Sequence, residues 1–140
     1  MQKIIMVCSG NTCRSPMAEV MLRAMLPGVE VSSAGLMTVD GMPASEGASC
    51  EMARRGLSLE SHRSRVLRAE QVRDALVLCM TASHLRMVQT AFPGAQADTL
   101  LHFADLSGDV ADPYGGGAAE YRVAADMICA ALERIAVKIQ

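Results

Sequence analysis

The stretch from residue 3 to residue 25 narrows the possible folds more than any other part of the chain. Residues 3–7, KIIMV, form a short apolar run rich in β-branched side chains and read as a buried strand. A polar turn, CSGNTCRS, follows without a break. Pro16 then stands where a first helical residue is expected, and Met17, Val20, Met21, Ala24 and Met25 recur at helical spacing. A buried strand that turns directly into a helix is the opening of a parallel α/β unit. In such folds ligands bind beyond the carboxyl ends of the strands, where Cys8 falls.

The rest of the chain repeats the alternation. Pro27-Gly28 ends the first helix, and residues 29–35, VEVSSAG, alternate as a second strand. A Gly/Pro-bearing loop covers 36–43, and a helix is predicted over 44–55, stopped by Gly56 as its C-cap. Residues 61–65 read as a polar loop and about 69–74 as a short helix. ALVLCM, 75–80, is a wholly apolar strand, and Thr81 caps a helix that runs to about Phe92 before Pro93-Gly94. ADTLLHF, 97–103, is predicted as the fourth strand, and 106–117 as loop throughout. A final helix spans 118–138, with Tyr121, Ala125, Ile128, Leu132 and Ile135 on one stripe. The expectation is one α/β domain over 1–140: a four-stranded parallel sheet flanked by helices on both faces, with a phosphate-binding loop after the first strand.

The turn after the first strand has the parts of an anion site. The first N–H groups of a helix lack internal partners, and the helix dipole adds partial positive charge. The turn lacks the GxxxxGK[ST] pattern of nucleotide-binding loops. It carries Cys8-x5-Arg14 instead, so the amides of Ser9, Gly10, Asn11, Thr12 and Cys13 can converge on one centre while Arg14 returns its planar fork to two phosphate oxygens. Gly10 and Asn11 are residue types that tolerate positive φ in such a curl. Cys8 lies under that centre. The groups that bind phosphate also favour thiolate over thiol, and Ser15 can donate a further hydrogen bond, which makes Cys8 an activated nucleophile. A cysteine and an arginine six positions apart also arise by chance; Gly10, Asn11, Ser15 and Pro16, all in place between strand and helix, favour the catalytic reading.

Composition excludes several alternatives. A net charge of −2 and a pI of about 5.9 do not suit a general nucleic-acid binder. The arginines, Arg14 aside, concentrate between Arg54 and Arg86 and read as solvated helix faces and loops. The N-terminal apolar run is too short for a membrane span and lacks the features of a signal peptide, so a cytoplasmic protein is expected. The three histidines, His62, His84 and His102, have no cysteine pairs around them at zinc spacing, so no Cys/His zinc site is expected. Cysteines 8, 13, 50, 79 and 129 do not form a secreted disulfide framework; Cys50 and Cys129 fall on helices and Cys79 ends a strand as a core residue. The helices show no long apolar heptad, and a monomer is expected.

The loop Cys8-Ser-Gly-Asn-Thr-Cys-Arg-Ser-Pro-Met-Ala-Glu19 resembles that of the low-molecular-weight protein-tyrosine-phosphatase family, and the likeness extends through Ser33-Ala34-Gly35, through His62-Arg-Ser64-Arg65 and to Asp112-Pro113-Tyr114-Gly115-Gly116. The resemblance implies a four-stranded parallel sheet flanked by helices and a phosphatase that uses a cysteinyl-phosphate intermediate, no metal and no cofactor, acting on phosphorylated protein. By it, Cys8 attacks phosphorus, Arg14 clamps the transferring group, and Asp112 protonates the leaving atom and later activates water. Pro113 holds Asp112 in extended backbone. Tyr114 is expected as a wall of the pocket, and His62 and Ser64 as braces of the nucleophile loop. The resemblance also brings Cys13 into play as a possible disulfide partner for Cys8, with a buried helix-start thiol as the alternative.

Position 12 separates the branches of the family. Tyrosine-directed members commonly carry a larger aliphatic residue there, whereas Thr12 resembles the bacterial branch that acts on protein phosphoarginine. A hydroxyl at the pocket wall offers an oxygen to a guanidinium, while a phenyl ring prefers an aliphatic contact. Phosphoarginine is therefore the favoured substrate, with phosphotyrosine as the alternative. A thiol-dependent arsenate reductase is more distant: Cys79 falls near one expected resolving cysteine, but 80–92 contain no second. A non-catalytic phosphate-sensing module is disfavoured, because binding alone needs neither nucleophile nor acid.

Overall fold

A computed structural model describes residues 3–139. It shows four parallel strands, β1 (Lys3–Cys8), β2 (Glu30–Gly35), β3 (Leu76–Cys79) and β4 (Gln96–Thr99), in the order β2-β1-β3-β4. The helices are α1 (Arg14–Met25), α2 (Glu46–Arg54), α3 (Ala69–Val72), α4 (Ala82–Ala91), α5 (Leu100–Phe103) and α6 (Ala118–Ile139).

The period of two along β1 builds both cores. Ile4, Met6 and Cys8 face one way, into a core filled by Met17, Met21 and Leu22 of α1 and by Ala124, Ala125, Ile128, Leu132 and Ile135 of α6. Ile5 and Val7 face the other way, against Val77 and Cys79 of β3 and Val88 of α4. With aromatics scarce, methionines fill much of the first core: Met6, Met17, Met52 and Met80 are fully buried. Because β1 is central and covered on both faces, the chain leaving its C-terminal end is held from all sides.

The fold expected from the pattern is the fold observed, with local corrections. Residues 97–103 are not one strand. β4 stops at Thr99, whose side chain accepts from the His102 amide at 3.1 Å and starts α5. Leu100 and Leu101 are buried as helical residues, so a short apolar run reads the same in either state. α2 begins two residues later than expected because the Ser45 hydroxyl caps it, accepting from Ala48 N at 3.2 Å. α3 ends at Val72 rather than residue 74, and Asp74 takes a left-handed turn (φ 59°). Pro16 is the third helical residue, not the first; its missing N–H still falls within the turn that has no internal acceptors. Thr81 caps α4 as expected, accepting from His84 N at 3.1 Å. Gly56 closes α2 with φ 78°, and residues 106–117 are loop.

Candidate active site

The loop from Cys8 to Arg14 is shaped by where its carbonyl groups go. Leu36 N donates to Cys8 O at 3.1 Å, Met37 N to Ser9 O at 2.9 Å, and Ser45 N to Thr12 O at 2.8 Å. His62 Nε2 lies 2.7 Å from Asn11 O. With four carbonyls held from outside, the loop turns its amides inward. Among the described residues, the backbone N–H groups of Ser9, Gly10, Asn11, Thr12 and Cys13 donate to no protein acceptor. Cys13, the N-cap of α1, makes no side-chain cap either, so the first turn of the helix is also left open to an anion.

Asn11 makes the curl possible. It carries the positive φ, 56°, whereas Gly10, expected to share that role, does not. Its side chain is fully buried, donating to Ser15 Oγ at 2.8 Å and Ser33 Oγ at 2.9 Å and accepting from Arg65 N at 2.9 Å. Ser33 in turn donates to Glu19 of α1. Gly35 is required for another reason: a Cβ there would lie 2.7 Å from Ser9 O. The side chains of Asn11 and Ser15 thus lie behind the loop and are committed to internal bonds, while the Asn11 backbone N–H stays without a protein acceptor. His62 braces the loop as expected. Ser64 does not touch it; its hydroxyl donates to Val39 O and accepts from Met42 N, tying down the neighbouring 39–42 segment instead.

Over the loop opens a cavity of about 280 Å³, lined by Cys8, Ser9, Gly10, Thr12, Cys13, Arg14, Met37, Asp112 and Tyr114. Cys8 is 3% exposed, at the floor, with its Sγ 2.9 Å from Ser15 Oγ. Arg14 is buried, and its Nη1 donates to Val110 O at 3.0 Å. Val110 is itself fixed by donating to Met80 O just past the end of β3. The guanidinium is thereby oriented from behind, and its Nη2 stands 3.7 Å from Asp112 Oδ2. Asp112 is at the mouth, its Oδ1 accepting from Tyr114 N at 3.0 Å. Tyr114 lines the mouth but is 82% exposed, so its ring is an outer wall without packing behind it.

Cys8 and Cys13 are both free thiols. Cys13 Sγ is engaged elsewhere, 3.3 Å from Ser45 Oγ and 3.4 Å from Tyr121 Oη. Burial and the neighbouring Cys13 push the Tyr121 hydroxyl above its usual range. Cys79 is a core residue, with its thiol pushed up to about 12 by burial. Cys50 is exposed and Cys129 half-buried.

The sequence reading missed Met37 on the cavity wall, Val110 behind Arg14, and His84, whose Nε2 lies 2.7 Å from Ser9 Oγ. No local pattern flagged them, since they reach the site from 28, 96 and 75 residues away along the chain. Among the described residues there is no group of three or more His, Cys, Asp or Glu able to hold a metal ion, and no helix is long and apolar enough to cross a membrane.

Comparison with known proteins places the chain in a family. The family model described as low molecular weight phosphotyrosine protein phosphatase matches residues 3–140. A protein-arginine-phosphatase of Geobacillus stearothermophilus is 42% identical over 143 residues, covering 99% of this chain and 96% of the relative. The solved YwlE arginine phosphatase from Geobacillus stearothermophilus superposes with a TM-score of 0.95 at 41% identity, covering 100% of this chain and 94% of that one. A YwlE arginine phosphatase structure, a cysteine-to-serine mutant with a phosphorylated active site serine, superposes with a TM-score of 0.94 at 32% identity, covering 99% and 95%. The chain is therefore a protein phosphatase belonging to the low molecular weight phosphotyrosine protein phosphatase family.

Proposed function

We propose that the protein hydrolyses phosphoarginine on protein substrates, through a phosphoryl group carried on Cys8. The observation that supports the chemistry most directly is the single cavity with Cys8 on its floor, Arg14 in its wall and Asp112 at its mouth. The Cys8 thiolate attacks phosphorus while the phosphoryl oxygens take hydrogen bonds from the loop amides and the Arg14 fork. The bond from phosphorus to the leaving nitrogen breaks, and that nitrogen takes a proton from Asp112. Asp112, now a carboxylate, removes a proton from water. The water attacks phosphorus, the S–P bond breaks, and phosphate leaves with the thiolate restored. The phosphorylated active site serine in the YwlE mutant supports a covalent intermediate of this kind.

Thr12 supports the substrate. It lines the cavity and presents a hydroxyl oxygen to which a guanidinium N–H can donate. The similarity to arginine phosphatases points the same way. The family description and the aromatic Tyr114 at the mouth favour phosphotyrosine as the second reading. Action as a cytoplasmic monomer is part of the same proposal; helices without long apolar heptads support the monomer.

The test is kcat/KM on matched phosphoarginine and phosphotyrosine peptides, for the parent and Thr12→Ile. The expected result is a phosphoarginine preference that shifts toward phosphotyrosine in the variant. A strong phosphotyrosine preference in the parent, unchanged by Thr12→Ile, overturns the substrate assignment. Full turnover by Cys8→Ser overturns the chemistry.

A further inference from the structure

His84 has no part in the chemistry described above, yet it reaches the nucleophile loop. It lies in the first turn of α4, held there by its own amide donating to the Thr81 hydroxyl. Its ring crosses to Ser9, the residue after the nucleophile, with Nε2 2.7 Å from Ser9 Oγ. His84 is 5% exposed, and its Nδ1 is buried without a hydrogen-bond partner among the described residues.

These facts decide the direction of the bond. Burial, and next the Arg14 charge, hold the His84 imidazolium below its ordinary range, against the opposing pull of Asp109 and Asp112. The ring is therefore neutral and carries one N–H. If that proton sat on Nδ1, a buried N–H donor would be orphaned; if it sits on Nε2, only a lone pair is left unused. Orphaned buried N–H groups are the rarer and costlier case. Nε2–H therefore donates to Ser9 Oγ, and the Ser9 hydroxyl proton must point elsewhere. Ser9 lines the cavity, so the proton can be turned toward the oxygens of an anion bound there.

We infer that His84 is a positioning residue whose Nε2–H holds Ser9 Oγ as an acceptor and so turns the Ser9 hydroxyl into the cavity as a donor to an oxygen of the bound phosphoryl group. The inference rests on the phosphatase reading of the cavity. It adds to the backbone amides one side-chain donor, with an orientation set from the start of α4, which follows β3, the neighbour of β1.

The test compares Ser9→Ala, His84→Gln, His84→Asn and the pair S9A/H84N in the full chain. Two quantities are read: kcat/KM, and the dissociation constant of inorganic phosphate by calorimetry. A glutamine amide can place its N–H near the position of Nε2, whereas an asparagine amide stops near that of Nδ1. Loss of a hydrogen bond to a charged group corresponds to about a 10- to 100-fold effect. Ser9→Ala is expected to weaken phosphate binding and kcat/KM by that order, His84→Asn to do the same, and His84→Gln to stay within about threefold of the parent. In the pair, H84N should add nothing to S9A, because its effect runs through Ser9. The inference is overturned if Ser9→Ala leaves both quantities unchanged, if the two substitutions add, or if His84→Gln loses as much as His84→Asn. If H84N does not fold, H84Q decides against S9A: retention beside a loss in S9A supports the inference, and equal losses overturn it. Phosphate affinity needs no turnover, so a failure of the Cys8 chemistry, read by Cys8→Ser, is distinguishable from a failure here.

Discussion

Cys8 Sγ and Ser15 Oγ lie 2.9 Å apart, both buried, and Asn11 Nδ2 donates to the same Ser15 oxygen at 2.8 Å. With Asn11 supplying one proton to Ser15, the Ser15 hydroxyl proton is free to point at sulfur. On the proposed chemistry, a Ser15 hydroxyl turned to sulfur would stabilise negative charge on Cys8 both when it attacks and when it leaves phosphorus. Ser15→Ala is expected to lower kcat about 10- to 100-fold, the value of one hydrogen bond to a charged group, with phosphate affinity nearly unchanged. Steady-state kinetics with phosphate inhibition check it; an equal loss in both would assign Ser15 to binding instead.

Asp112 stands at the mouth of the cavity, 3.7 Å from Arg14. A general acid matters in proportion to how poor the leaving group is. Asp112→Ala should slow a guanidine or alkoxide leaving group by about 10²- to 10⁴-fold and nitrophenol far less. Equal losses on both substrates would remove Asp112 from the acid role.

Asn11 is the piece on which the loop's shape depends. Asn11→Ala deletes two donors and leaves the Arg65 amide without its acceptor, while forcing an alanine into φ near 56°. A loss of about 2–4 kcal/mol in urea unfolding is expected. A loss below about 0.5 kcal/mol, typical of an inert surface site, would show that the network contributes little to stability.

Cys79 bears on the arsenate-reductase alternative. A resolving cysteine must reach thiolate, yet burial pushes this thiol up to about 12. Iodoacetamide at pH 8 should modify exposed Cys50 in the native protein and spare Cys79. The same shift has a sign in stability. The unfolded chain gives up the Cys79 proton from about pH 9 upward, and the folded chain holds it to about 12. Below that window the group makes no pH-dependent difference; within it, stability falls as pH rises, by at most about 1.4 kcal/mol per pH unit. Cys79→Ala should flatten that fall. A parent protein with no alkaline loss across the window, or rapid Cys79 alkylation at pH 8, would contradict this account.

What the sequence determined by itself is the part governed by neighbours along the chain. The apolar, β-branched run at residues 3–7, the helical spacing from Met17 to Met25 and the Thr81 cap are short-range patterns, and each became the element that it predicts. Cys8, Arg14 and the turn between them were legible for the same reason: strand, curl and helix start are contiguous. The run 97–103 failed because apolar residues serve a buried strand and a buried helical turn equally, and a single capping hydroxyl, that of Thr99, decided between them. Tertiary structure alone decided how the site is held. Arg14 is aimed by the carbonyl of Val110, Ser9 is met by His84, and Cys13 is drawn to Tyr121, 108 residues away. No local periodicity encodes such pairs. They exist only because β1 is central and covered on both faces, so that the loop leaving it is met by chain returning from every other part of the sheet.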